Sequence, residues 1–73
     1  MAQVFHIDLT SLNTHEERFA ILQIFEKSNF DIHENWVQVD DFHRTIDYIE
    51  ATWFYTTEPE FPLLPENVKI TRK

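Results

Sequence analysis

The sequence predicts a small α+β domain built as a two-layer sandwich, with two helices on one face of an antiparallel sheet. Three features predict this class: strand-like alternation near the start, two stretches with helical periodicity, and further alternating segments between and after those stretches. The elements follow the ferredoxin-like β-α-β-β-α-β order. A β-α-β-β-α unit with a detached last strand is the nearest alternative. Because 73 residues bury only one modest core, residues 1–73 are expected to form a single domain.

The first strand and the first helix have the clearest patterns. Residues 3–9 alternate between apolar and polar side chains, which is the period of a strand buried on one face. Thr14 and Glu17 then match a capping box, in which the hydroxyl and the carboxylate satisfy free amides at a helix start. We expect this helix to run from His15 to about Ser28. Its apolar stripe consists of Ile21, Leu22, Ile24 and Phe25, with Phe19 at the margin.

Residues 30–39 predict a β-hairpin. Phe30 and Ile32 alternate with polar neighbours, and the alternation resumes at Val37. Asn35 would take the left-handed conformation of the turn, since the chain has no glycine for that position. One bulged strand over the same residues is the alternative.

Residues 41–55 have the composition of a strand, but their apolar periodicity favours a second helix. Either Asp40 or Asp41 can cap its start. The apolar side chains recur at i, i+4, i+7 and i+11, which is one helical stripe; they are Phe42, Ile46, Ile49 and Trp53.

The end of the chain predicts an extended connector followed by a short strand. Pro59, Pro62 and Pro65 lack amide protons and bias their predecessors toward extended geometry, so residues 58–65 cannot continue a helix. Residues 67–71 alternate again and predict the last strand.

Missing residue types exclude several classes of function. Without cysteine there is no disulfide, zinc knuckle or thiol nucleophile, and without glycine there is no phosphate-cradling loop. Residues 1–30 lack the pattern of a signal peptide, and no apolar run reaches the roughly 20 residues that span a bilayer. We therefore expect no cofactor, no metal, no membrane partner and a cytoplasmic location.

The charge of the chain is strongly acidic. Six Lys and Arg residues oppose 13 Asp and Glu residues, giving 6 − 13 = −7. Such a surface would repel a polyanion, so direct binding of nucleic acid is not expected. The same field would steer the chain toward a protein partner with a basic surface, although acidity also serves solubility alone.

The candidate partner-binding residues combine carboxylates with two aromatic anchors. Trp36 is expected on the open face of the sheet or beneath the connector, and Phe61 lies in the connector itself. The carboxylates expected to steer the partner are Asp31, Glu34, Asp40, Asp41, Asp47 and Glu50.

Catalysis is not expected. His43 and Asp47 would be neighbours at i and i+4 on the second helix, but two ligands on an exposed helix do not make a metal site. We read the chain as a binding module that inhibits or regulates a nucleic-acid-handling enzyme or complex by docking on its basic surface, including by mimicry of nucleic acid. Phage-encoded inhibitors, anti-CRISPR proteins and antitoxins have this size and charge. The alternative is a homo-oligomeric accessory subunit, such as a homodimer paired through an exposed sheet edge.

Overall fold

A computed structural model describes residues 2–73 of the chain. The elements are β1 (Gln3–Asp8), α1 (His15–Glu26), β2 (Asp31–Gln38), β3 (Arg44–Trp53) and β4 (Lys69–Arg72). The four strands form one sheet in the order β2-β3-β1-β4, and every neighbouring pair is antiparallel. The strands β1 and β2 therefore run in the same direction on either side of β3, and α1 connects them across one face of the sheet.

The predicted two-helix, ferredoxin-like fold is wrong. Across residues 2–73 the structure has one α-helix, α1, and residues 44–53 of the expected second helix form the strand β3. The alternative with a detached last strand is also wrong, because β4 pairs with β1. A β-bulge explains why Ile46, Ile49 and Trp53 of the expected helical stripe are all buried in this strand.

The bulge lies at Asp47. Asn35 of β2 pairs with Tyr48, whereas its neighbour Trp36 pairs with Ile46, so Asp47 has no partner in β2. An extra residue in one strand reverses the alternation beyond it. Ile46 and Ile49 are consequently both fully buried although they lie three residues apart.

The expected turn at Asn35 is also wrong. Residues 31–38 form one uninterrupted strand, and no residue in the described range 2–73 has a positive φ. The chain turns later, over residues 39–43, between β2 and β3. The irregularity in pairing falls between Asn35 and Trp36, with the additional residue on β3 rather than on β2.

The predictions for the first strand and first helix are confirmed, with small differences at their ends. The strand β1 ends at Asp8, and α1 begins at His15 and ends at Glu26, two residues before the predicted end. The Thr14 hydroxyl accepts a hydrogen bond from the Glu17 amide at 3.2 Å. It also donates to the Glu17 carboxylate at 3.0 Å, so this carboxylate contacts the hydroxyl rather than the backbone amide of a reciprocal capping box.

The hydrophobic core lies between α1 and one face of the sheet. Phe25 of α1 is fully buried, and its ring lies 5.8 Å from that of Phe30, centroid to centroid. The guanidinium of Arg18 fixes the start of α1 to the rest of the molecule by donating to the carbonyl oxygens of Leu12 at 3.0 Å and Ile46 at 3.2 Å. The largest fully buried side chains are Ile7, Leu9, Leu22, Phe25, Ile46 and Ile49.

Residues 54–68 cover the remainder of the same sheet face without forming helix or strand. This segment includes the predicted connector of residues 58–65, and we use the name connector for all of residues 54–68 from here on. The Phe61 ring lies 4.9 Å from Phe5 and 5.0 Å from Phe30, and Val68 is buried in the core. The three prolines explain why this crossing is irregular, as the sequence predicts. The layer that packs on the sheet is thus one helix beside one irregular segment.

Candidate functional site

The open face of the sheet, opposite α1, is polar and carries both signs of charge. The strand register aligns His33, Glu50, His6 and Thr71 in one row across all four strands. Glu50 also forms an ion pair with Lys73. The Lys73 hydrogen bond and its positive charge lower the pKa of the Glu50 carboxyl below its ordinary value. One of the expected steering carboxylates is therefore neutralised within the chain.

Trp36 lies on the face that α1 covers, because it pairs with the buried Ile46. It is half-buried, with its ring 6.0 Å from that of His15, and the Arg44 guanidinium lies 5.6 Å from its centroid. Trp36 is thus neither on the open face nor under the connector. Together with the Phe61 packing described above, this places both expected anchors in intramolecular contacts.

The six expected steering carboxylates are divided among separate parts of the surface. Asp31 and Glu50 belong to the open face, whereas Glu34 pairs with Ile49 and so belongs to the opposite face. Asp47 occupies the bulge. Only Asp40 and Asp41 are brought together, in the turn between β2 and β3.

Residues 39–43, which we name the hairpin end, form a closely hydrogen-bonded turn. The Val39 amide donates to the His43 carbonyl at 2.9 Å. The Asp40 carboxylate accepts from the Phe42 amide at 2.8 Å and the His43 amide at 2.9 Å, and it contacts His43 Nδ1 at 2.8 Å. The Phe42 amide, followed by the His43 side chain, lowers the pKa of the Asp40 carboxyl.

The hairpin end extends beyond the rest of the sheet. The last strand pair between β1 and β3 joins Asp8 to Tyr48, whereas β2 and β3 remain paired up to Gln38 and Arg44. The molecule is accordingly elongated, with principal extents of 43 × 21 × 20 Å. A groove of about 770 Å³ separates the hairpin end from the start of α1; its lining includes Asn13, His15, Glu16, Val39, Phe42 and His43.

Phe42 is an exposed aromatic residue that the sequence does not predict at this site. Its helical spacing predicts burial, but its side chain is 91% exposed. The sequence does contain a signal for a turn at this place. Asp40 stands two residues before Phe42 and three residues before His43. A carboxylate at that spacing accepts from the same two amides in a tight turn as in a helix cap.

The predicted pairing of His43 with Asp47 on a helix is not formed, since His43 contacts Asp40 instead. Within residues 2–73 no group of three or more His, Asp or Glu side chains is placed to hold a metal ion. The one helix in this range is too short and too polar to cross a bilayer.

Comparison with known proteins finds no family model, no curated protein and no solved structure that matches this chain. The proposal below is therefore argued from the charge and geometry of the chain itself.

Proposed function

We propose that this chain is a protein-binding module that docks on the basic surface of a nucleic-acid-handling enzyme or complex in the cytoplasm. By occupying that surface it hinders the partner's access to nucleic acid. The module supplies contact and charge, and the partner supplies the activity that is regulated.

The observation that carries this proposal is the large negative charge that stays at the surface. The chain has 13 acidic and six basic side chains, and none of the charged side chains in residues 2–73 is buried. Over the same range only two ion pairs form, Asp40 with His43 and Glu50 with Lys73. Most of the carboxylates therefore contribute to the external field.

An external field of this sign favours a particular class of partner. It attracts proteins with positive surfaces, raises their rate of association, and repels nucleic acid. Extended positive surfaces are typical of proteins that bind phosphate backbones. A bound acidic module would compete with the phosphates for the same Lys and Arg side chains.

The test begins with affinity capture from a lysate of the native host, followed by purification of the captured protein. Calorimetric titrations of the two purified proteins should show affinity falling about tenfold or more between about 50 and 500 mM NaCl. A fluorescent DNA or RNA duplex bound to the captured protein should be released as this chain is added. Simultaneous binding of the duplex and this chain, or a captured protein with no affinity for nucleic acid, would overturn the proposal.

Sedimentation velocity over a dilution series provides the control for the accessory-subunit alternative. The strands β2 and β4 are the two edges of the sheet, and a second copy would pair there. We expect a monomer at all concentrations. A dimer that dissociates on dilution, with no effect on duplex binding, would favour the accessory subunit.

A further inference from the structure

The hairpin end exposes an aromatic ring that the rest of the molecule leaves uncovered. Phe42 is 91% exposed, and Val39 beside it is 63% exposed. The groove between the hairpin end and α1 keeps the helix away from both side chains. Phe61 differs in this respect, because the connector brings its ring onto Phe5 and Phe30. Within its own chain Phe42 contributes little apolar burial to folding.

The backbone that carries Phe42 is held in one arrangement. Its own amide is bonded to the Asp40 carboxylate at 2.8 Å, and the turn is closed by Val39 and His43. The Gln38 side-chain amide also donates to the Asp40 carbonyl at 2.8 Å. A partner that bound the ring would therefore order little more than its two side-chain torsions, which lowers the entropic cost of binding.

Carboxylates outnumber guanidinium groups around this ring. Asp41 is exposed next to Phe42 in the sequence, and Glu16 and Asp40 line the groove together with Phe42. Arg18 and Arg44 line the same groove, but Arg18 donates to the carbonyl oxygens of Leu12 and Ile46, and Arg44 lies over the Trp36 ring. The complement of this surface is an apolar cup with Lys or Arg side chains around its edge.

We propose that the hairpin end is the docking element and that Phe42 inserts into an apolar cup, bordered by Lys and Arg, on the protein partner. This inference rests on the proposed function and adds the point of contact and the chemistry of the partner's site. Phe42 is the anchor that resists dissociation. Asp41 and Glu16 face the basic border and speed association.

The test uses the purified nucleic-acid-binding protein from the capture experiment as the probe. Phe42→Ala should weaken its binding about tenfold or more, mainly through faster dissociation. Asp41→Asn should slow association several-fold at low salt, and this difference should vanish at about 500 mM NaCl. Both positions are exposed, so urea denaturation of the variants should match that of the wild type.

Matched controls come from the connector. Leu63 is 96% exposed, and Glu58 is an exposed carboxylate outside the hairpin end. Leu63→Ala and Glu58→Gln should bind within about twofold of the wild type. A photo-crosslinking benzoylphenylalanine at position 42 should attach to the probe, and the same group at position 63 should not.

The outcomes separate this inference from the function on which it rests. If Phe42→Ala binds as tightly as the wild type while the duplex is still released, the docking element is wrong and the proposed function stands. If the wild type releases no duplex, both are overturned. If the Phe42→Ala change instead abolishes a homodimer, or abolishes binding to phosphatidylcholine vesicles, the occupant is not a basic protein and the inference fails.

Discussion

Asp40 provides, with one carboxylate, the turn that glycine or asparagine provides in most hairpins. The chain contains no glycine, and residues 2–73 include no positive φ. The amides of Phe42 and His43 are bonded to the carboxylate instead, at 2.8 and 2.9 Å. A carboxylate accepts such bonds most strongly when it is ionised. The shape of the hairpin end therefore depends on the charge state of a single side chain.

We expect the hairpin end to loosen only in strong acid. The Phe42 amide, the His43 side chain and the His43 amide hold the pKa of the Asp40 carboxyl below its ordinary value of 3.8. A carboxyl with a lowered pKa stabilises the folded form above its ordinary pKa, and this contribution is lost as the pH falls through the lowered pKa. An NMR titration should show the amide signals of Phe42 and His43 moving with a midpoint below pH 3.8.

The Asp40→Asn variant is the control for that titration. Its side chain carries no titrating proton, so the transition should be absent from both amide signals. A wild-type midpoint at or above pH 3.8 would contradict the hydrogen bonds described for the turn.

The strand β3 is the element whose sequence pattern is most misleading. Ile46 and Ile49 are spaced like neighbours on a helix, and both are fully buried in a strand. The extra residue at Asp47 explains how a spacing of three residues can bury both side chains in a strand, because it shifts the alternation by one position. The carbonyl of Asp47 also accepts the Leu9 amide at 3.1 Å, which fixes the bulge against the end of β1.

Deletion of Asp47 should leave Ile46 in the core. Without the extra residue Ile46 stands two positions before Ile49, so it stays on the buried face and opposite Trp36. The deletion removes the Asp47 carbonyl that accepts the Leu9 amide, so we expect the free energy of unfolding, measured by urea denaturation, to fall by about 1–2 kcal/mol. Asp47→Ala keeps the residue count and the carbonyl, so it should cost less than about 1 kcal/mol. A loss of about 3 kcal/mol or more on deletion, which is the cost of emptying an isoleucine site, would show that the core needs the extra residue.

The sequence predicted the elements whose local pattern has one physical meaning. The alternation of β1, the Thr14 cap of α1 and the prolines of the connector each allow a single structure. The failures came where one pattern has two meanings. An aspartate that accepts two following amides begins either a helix or a turn, and apolar spacing of three residues arises from a helix or from a bulge. Only the pairing of β3 with its neighbour β2 decides between them.

The error in β3 also explains why the sequence predicted neither the dispersal of the carboxylates nor the exposure of Phe42. The expected carboxylates are close in the sequence, but successive residues of a strand alternate between faces, so Glu34 and Asp31 lie on opposite sides of the sheet. Because residues 44–53 form a strand, the turn of residues 39–43 before it projects into solvent. Phe42 then becomes exposed, which no property of the residue itself indicates.

At the scale of the whole molecule, binding should depend on pH through net charge. Histidine is the residue type that ordinarily gains its charge between about pH 5 and 8, and protonation of all four histidines would change the formal charge of the chain from −7 to −7 + 4 = −3. Steering scales with charge, so association with the basic partner should be slower near pH 5.5 than near pH 7.5. Stopped-flow rates at fixed ionic strength measure this directly. Equal rates at the two pH values would contradict electrostatic steering.

The sheet order also has a consequence for how the chain folds as it is made. The strand β1 is central, and one of its two neighbours is β4, so residues 9–68 lie between partners that must meet. Until residues 69–72 have been synthesised, β1 keeps a free edge with unsatisfied amides, the kind of surface that recruits other nascent chains. Such distant pairing also slows folding. Completion of this sheet is therefore one of the last events in the biogenesis of the domain.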